Sequence, residues 1–215
     1  MSTADKSLED RNVVVTGAST GIGRITAETL AKRGAKVILA CRSEDKTRPV
    51  IDAITAAGGR AEFLPLDLGD LASVRAAART LLDRGDPIHV LVNNAGVAAS
   101  RGVTKDGFEI AFGTNHLGHF LFTTLLLPRL RESAPARIVN VASKAHYRAR
   151  GVPFDSLRAP TKSATGWPEY TTSKLCNVLF TRELARGRAG EGVTSYAVHP
   201  GVIASDLWRS LPGFL

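Results

Sequence analysis

Short apolar segments alternate along this chain with longer segments of helical periodicity, and this alternation limits the folds that the chain can adopt. The short segments contain four to six residues, and several are rich in valine and isoleucine, as is typical of strands buried on both faces. Strands and helices that alternate at this spacing form βαβ units, whose right-handed crossovers place helices on both faces of a parallel sheet. We therefore predict an α/β fold with a doubly wound parallel sheet. The predicted strands span residues 12–15, 36–40, 61–64, 88–92, 137–141 and 193–198, and the predicted helices span residues 22–33, 44–57, 71–83, 108–130 and 170–186.

The length and composition indicate a soluble protein with one core. A chain of 215 residues is expected to form a single domain over residues 1–215. Its two cysteines are too few for a disulfide framework, and its polar N-terminus lacks the apolar core of a signal peptide. No apolar run reaches the ~18 residues that a membrane span needs. We predict a cytoplasmic protein without a transmembrane anchor.

The formal net charge of +8 is compatible with a nucleic acid, a membrane surface or an anionic small ligand as partner. The positive residues are scattered, and no run of five or more like charges occurs. We therefore predict a basic solvated surface and no nucleic-acid partner.

Gly17, Gly21 and Gly23 follow the first predicted strand and lead into a predicted helix. Glycines permit a tight turn and a close approach of the main chain to a pyrophosphate, and the N-terminus of the next helix attracts an anion. The spacing Gly-x-x-x-Gly-x-Gly differs from the common dinucleotide fingerprint. The pattern favours a dinucleotide site, and the alternative is a tight connection between strand and helix.

The residues that follow the other predicted strands are expected at the same edge of the sheet. Arg42 follows the second strand, with no acidic residue before Glu44. An acidic residue at this point binds the ribose hydroxyl of NAD, whereas an arginine accommodates the 2′-phosphate of NADP. Arg42 therefore favours NADPH, and the alternative is a solvated arginine at a strand end. Asp67 and Leu68 follow the third strand, residues 93–96 follow the fourth, and both segments are expected beside the cofactor.

Tyr170 and Lys174 lie four residues apart in a predicted helix, so their side chains share one face. A free phenol has a pKa near ~10, and a cation fixed beside it lowers that pKa, which suits proton transfer at an alcohol or a carbonyl. The alternative is a chance pair on a solvated helix face. Residues 144–169, directly before this helix, lack periodicity and are predicted to form the rim of a substrate site.

These motifs resemble those of the short-chain dehydrogenase/reductase family, in the family's order and over nearly the whole chain. Residues 37–42, 115–120, 173–184 and 196–202 look like the retinol dehydrogenase-like branch. The matching motifs are Thr16-Gly17-x-x-x-Gly21-Ile22-Gly23, Asn93-Asn94-Ala95-Gly96, Ser143, Tyr170-x-x-x-Lys174 and Pro200-Gly201.

The resemblance implies a Rossmann fold and four catalytic residues. Tyr170 would be the acid/base, and Lys174 would lower the pKa of Tyr170 and bind the nicotinamide ribose. Ser143 would hold the substrate oxygen, and Asn115 would anchor a water that links Lys174 to solvent. The implied cofactor-binding residues are Gly17, Ser19, Thr20, Gly21, Ile22, Gly23, Arg42, Asp67, Leu68, Asn93, Ala95, Gly96, Tyr170, Lys174, Pro200, Gly201, Ile203 and Ser205.

The implied activity is an NADP(H)-dependent interconversion of a carbonyl and an alcohol on a small lipophilic substrate, with NAD(H) as the open alternative cofactor. His116 and His119 are spaced as metal ligands can be, but no carboxylate or cysteine completes a set nearby. We predict no metal site. The family continues beyond the sixth strand with helices over the substrate and a seventh strand, so we expect a fold truncated after the sixth strand. The alternative function is an NADPH-binding module or fragment without turnover, and the full-length protein is compatible with a homo-oligomer.

Overall fold

The computed structural model describes residues 6–186 and 192–201, and within these residues it contains six strands and six α-helical segments. The strands are β1 Asn12–Thr16, β2 Lys36–Cys41, β3 Arg60–Pro65, β4 Val90–Asn93, β5 Ala136–Val141 and β6 Val193–Val198. The helices are α1 Gly21–Lys32, α2 Glu44–Ala56, α3 Leu71–Arg84, α4 Ile110–Phe112, α5 Gly118–Glu132 and α6 Trp167–Arg186.

All six strands are parallel and form one sheet in the order β3-β2-β1-β4-β5-β6. The strand order reverses between β1 and β4, and ligands of open α/β sheets bind in the crevice outside the carboxyl ends of the strands at such a reversal. The predicted doubly wound parallel sheet is confirmed.

Side chains of β1 alternate between two cores, one on each face of the sheet. Val14 joins a core that includes Phe122 of α5 and residues of α3. Val13 and Val15 join a second core with Ala27 of α1 and residues of α2. Complete burial of side chains of this kind contributes roughly 1.5–3 kcal/mol each. The valine-rich sequence of β1 is therefore explained by helices on both faces.

Local signals in the sequence fix the ends of α3. Before the helix, the carboxylate of Asp70 accepts hydrogen bonds from the backbone N–H groups of Ala72 at 2.9 Å and Ser73 at 3.3 Å. After it, Gly85 has a φ of 75°, which glycine adopts without strain. Both ends therefore follow from residue types that stop a helix.

The predicted helix over residues 108–130 is interrupted. Between α4 and α5 the chain forms a π-helical turn at Gly113–Leu117, and the N–H of Gly118 donates to the carbonyl of Gly113. The helical periodicity of the sequence does not reveal this wider turn. The aperiodic residues 144–169 contain two short 3₁₀ turns, Lys144–Arg148 and Phe154–Ser156.

Among residues 6–186 and 192–201, none of the helices combines the length and the apolar character that are needed to cross a bilayer.

Candidate active site

A cavity of about 430 Å³ lies at the carboxyl edge of the sheet, where the strand order reverses. Residues at or after the end of each of the six strands line it, together with two residues of α6. Its lining includes the predicted residues Gly17, Ser19, Thr20, Gly21, Ile22, Gly23, Arg42, Asp67, Leu68, Ala95, Gly96, Ser143, Tyr170, Lys174, Pro200 and Gly201.

The turn between β1 and α1 approaches the end of β4 so closely that side chains are excluded. Gly17 has a φ of +65°, and a Cβ atom there would lie 2.8 Å from the Cα of Ala95. A Cβ at Gly23 would clash with the carbonyl oxygen of Gly17 and the amide of Asn94. This amide donates to the carbonyl of Thr16 at 2.8 Å. The turn therefore presents bare backbone and the start of α1 to the cavity, which fits the pyrophosphate of a dinucleotide.

Positive charge lines the cavity beyond the end of β2. Arg42 and Lys46 both line it there, with Ser43 between them. Lys46 was not predicted, although its place in the first turn of α2 puts it close to Arg42. The lining residues from 40 to 46 thus include two cations and no carboxylate.

Tyr170, Ser143 and Lys174 meet in another part of the cavity. The Tyr170 side chain is 2% exposed and forms a hydrogen bond with the side chain of Ser143. Lys174, one turn later on α6, places its Nζ atom 5.7 Å from the centre of the Tyr170 ring and donates to the carbonyl of Val141 at 2.8 Å. Trp167, which sequence reasoning missed, lies against Tyr170 with ring centres 5.3 Å apart.

Burial controls the proton affinities of this pair. It raises the pKa of Tyr170 above its ordinary value, and the hydrogen bond from Ser143 offsets part of the rise. Burial also lowers the pKa of Lys174 to about 8. Loss of solvation has the largest effect on the phenol, and the lowering of its pKa by the charge of Lys174 stays a prediction.

Asn115 lies behind the cavity and does not line it. It is completely buried in the π-helical turn, where its side chain accepts from the N–H of Val97 at 2.7 Å and donates to the carbonyl of Val97 at 2.9 Å. It also donates to the hydroxyl of Ser173 at 2.9 Å. Asn115 thus attaches the segment after β4 to α6, beside Lys174.

Asn93, also predicted to bind the cofactor, does not line the cavity. Its amide is buried in the core, where it donates to Thr123 at 2.9 Å and to Asn140 at 2.8 Å. The neighbouring Asn94 lines the cavity instead. Ile203 and Ser205, also predicted to bind the cofactor, lie outside the described residues.

The described residues contain no group of three His, Cys, Asp or Glu side chains that could hold a metal ion. His116 lies among the rings of Phe112, Phe120 and Phe180, with its Nδ1 atom 3.2 Å from Oδ1 of Asn177. Burial lowers the pKa of His116 to about 4. The contacts of His116 are therefore those of a packing residue.

A sequence model of the family described as short chain dehydrogenase matches residues 11–213. The chain belongs to the short-chain dehydrogenase family.

Within this family, the chain is similar to retinol dehydrogenases, as its sequence motifs predicted. It is 50% identical to human retinol dehydrogenase 11 over 210 residues, which cover 96% of this chain and 65% of that protein. It is 44% identical to human retinol dehydrogenase 13 over 211 residues, which cover 94% of this chain and 62% of that protein. The chain therefore spans less than two thirds of the length of these relatives.

Solved structures of other proteins share the fold. An uncharacterized protein from Mycobacterium paratuberculosis is 42% identical, with a TM-score of 0.80, and the match covers 94% of this chain and 72% of that one. The Pseudomonas aeruginosa RhlG/NADP active-site complex is 28% identical, with a TM-score of 0.77, and its match covers 96% of this chain and 78% of that one. Both agree with a short-chain dehydrogenase fold.

Proposed function

We propose that this protein is an NADP(H)-dependent oxidoreductase that interconverts a carbonyl and an alcohol on a small lipophilic substrate. The observation that carries the proposal is the buried Tyr170, hydrogen-bonded to Ser143 and one helical turn from Lys174, in a cavity that also contains Arg42 and a glycine turn. The names of the retinol dehydrogenase relatives support the reaction type and the lipophilic substrate class.

The proposed chemistry divides between the cofactor and the protein. When bound, the nicotinamide supplies hydride transfer. In reduction the hydroxyl of Tyr170 gives its proton to the substrate oxygen, and in oxidation the phenolate takes that proton. Ser143, already bonded to Tyr170, holds the substrate oxygen. The raised pKa keeps Tyr170 protonated at neutral pH, ready to donate, and the ammonium of Lys174 stabilises the phenolate once it forms.

The cofactor preference follows from charge. Arg42 and Lys46 would pair with the 2′-phosphate of NADP(H), while the backbone of the glycine turn would hold the pyrophosphate. The NADP complex of RhlG, which shares this fold, supports a nicotinamide cofactor.

The test is NADPH oxidation by the purified protein with a series of aldehydes of increasing chain length. We expect turnover that improves with chain length. Tyr170→Phe should lower kcat by roughly 10²–10⁴, because it removes the acid/base hydroxyl. Its affinity for NADPH, measured by fluorescence titration, should stay close to that of the wild type.

The matched control is Tyr196→Phe, since Tyr196 lies within β6, is 46% exposed and does not line the cavity. This variant should keep wild-type turnover. Unchanged activity of Tyr170→Phe would contradict the mechanism, and NADPH binding by the wild type without turnover would favour the module without activity.

A further inference from the structure

A buried histidine that does not line the cavity bridges two parts of the site. His119 lies on α5 and is 2% exposed. Its Nδ1 atom is 3.0 Å from the main-chain carbonyl oxygen of Asn115, and its Nε2 atom is 2.8 Å from the hydroxyl of Thr16 at the end of β1. The imidazole thus spans from the π-helical turn to the strand that precedes the glycine turn.

Hydrogen-bonding rules fix the direction of every bond in this bridge. A carbonyl oxygen only accepts, so Nδ1 carries the proton. In the neutral ring Nε2 then accepts from the hydroxyl of Thr16, whose other acceptor, the carbonyl of Val92, lies farther away at 3.4 Å. The Thr16 oxygen in turn accepts from the N–H groups of Asn94 at 2.9 Å and Ala95 at 3.0 Å. One tautomer of His119 therefore satisfies both ring nitrogens and the Thr16 hydroxyl.

His119 is also held in its neutral form. Burial is the main cause that lowers the pKa of His119 to about 3. Lys174 of α6 and His116 of the π-helical turn lower it further. The imidazole of His119 therefore does not change its charge near neutral pH.

Both ends of the bridge lead to groups of the site. The side chain of Asn115 holds Val97 and Ser173, and Ser173 precedes Lys174. Thr16, Asn94 and Ala95 form the junction of β1 and β4. A displacement of Asn115 would therefore shift the acid/base pair relative to the cofactor cavity.

We propose that His119 is a positioning residue that fixes the Asn115 turn, behind Tyr170 and Lys174, to the junction of β1 and β4. This role rests on the proposed function, since it serves the geometry of proton transfer. A residue that only positions others affects kcat, because a small displacement of the reacting groups slows the chemical step.

Three substitutions separate the two ends of the bridge. His119→Asn places an amide near the position of Nδ1, so it keeps a donor for Asn115 but cannot reach Thr16. His119→Gln places its amide near the position of Nε2, so it keeps the contact with Thr16 and loses Asn115. His119→Leu keeps neither contact.

Because each variant breaks at least one end of the bridge, we expect kcat of all three to fall roughly ten- to a hundredfold. KM for NADPH should change less than about threefold in all three variants. The control is Thr123→Val, one turn later on α5, because Thr123 is completely buried and bonds Asn93 instead of the site. It should lower Tm without lowering kcat.

A measurement without turnover tests the bridge itself. Nitrogen-15 NMR of the histidine rings should show His119 protonated at Nδ1 only, and unchanged between about pH 5 and pH 9. A proton on Nε2, or titration in that range, would overturn the proposal. Wild-type kcat in a variant that keeps only one of the two contacts would also overturn it, as would a loss of kcat in Thr123→Val equal to that of a His119 variant with the same loss of Tm. A wild type without turnover would contradict the proposed function and the positioning role together, while the tautomer would still show whether the bridge exists.

Discussion

The ammonium group of Lys174 is held inside the protein at the expense of stability. Lys174 is 3% exposed, and its ammonium donates a hydrogen bond to the carbonyl of Val141. Each unit by which its pKa falls corresponds to about 1.4 kcal/mol of differential interaction. The proposed role of Lys174 in proton transfer gives a reason to retain a cation that destabilises the folded state.

Lys174→Met should therefore stabilise the protein and abolish turnover. In the folded state the pKa of Lys174 is about 8, below the 10.5 of an unperturbed lysine. The unfolded state thus binds more protons between these values, so the stability of the wild type rises with pH from about 8 to 10.5 and carries the full penalty below about 8. We expect the free energy of unfolding at pH 7 to rise by about 1–3 kcal/mol, after allowance for the lost bond to Val141.

Urea unfolding at pH 7 and at pH 10 measures this effect. The gain should shrink at the higher pH, and Lys46→Met, at an exposed lysine, should change stability by less than about 0.5 kcal/mol. A Lys174→Met variant less stable than the wild type at pH 7 would refute the argument.

At the same scale, the sequence predicted which types of residue meet in the cavity. It did not always distinguish which of two neighbouring residues lines it. Tyr170, Lys174, Ser143 and Arg42 all line the cavity, because each lies at a strand end or on one helix face. Asn93, the last residue of β4, turns its side chain into the core, since neighbouring residues of a strand point to opposite faces, and Asn94 lines the cavity. The depth of burial that raises the pKa of Tyr170 arises from tertiary packing, which no local pattern encodes.

The turn between β1 and α1 is the element on which the cofactor cavity depends most directly. Gly17→Ala should destabilise the protein by about 2–5 kcal/mol, from left-handed backbone strain and from contact with Ala95, and should abolish NADPH binding. Gly58→Ala is the matched control, since Gly58 has a φ of +78° but nothing within 4 Å of an added Cβ. It should cost about 1–2 kcal/mol and leave NADPH affinity unchanged. Thermal unfolding and fluorescence titration measure both, and equal effects of the two substitutions would contradict the close approach.

The π-helical turn at Gly113–Leu117 shows what element prediction misses. The predicted helix over residues 108–130 is present as helical chain from Ile110 to Glu132, but the apolar spacing gave no sign of the wider turn within it. That turn coincides with Asn115, which bonds Val97 and Ser173 from other parts of the chain. The π-helical turn thus lies where hydrogen bonds join segments that are remote in sequence, and π turns often occur at functional sites.

For the whole molecule, the sequence predicted the class of sheet but not the order of its strands. Alternating strands and helices predicted a parallel sheet with helices on both faces, and the two cores that share β1 confirm it. The order β3-β2-β1-β4-β5-β6 depends on which strands pair over long distances, as β1 and β4 do. This pairing brings the glycine turn to Asn94 and Ala95.

Cofactor binding should stabilise the whole molecule, because the cavity is lined from all six strand ends. At one hundred times its Kd, NADPH should add about 2.7 kcal/mol to the free energy of unfolding. NADH at the same concentration should add less, and Arg42→Ala should reduce the difference. Arg79→Ala, at an exposed arginine of α3 away from the cavity, should leave it intact. Thermal unfolding with each nucleotide decides the point, and equal stabilisation of the wild type by both would argue against NADP specificity.

The distribution of the cavity lining along the chain has a consequence for biosynthesis. Its first residue is Gly17 and its last described residue is Gly201, and the first three strands lie on one side of the β1–β4 junction and the last three on the other. A ribosome must therefore release nearly all of this sequence before the binding surface can close. A nascent chain halted before β6 lacks one wall of the pocket.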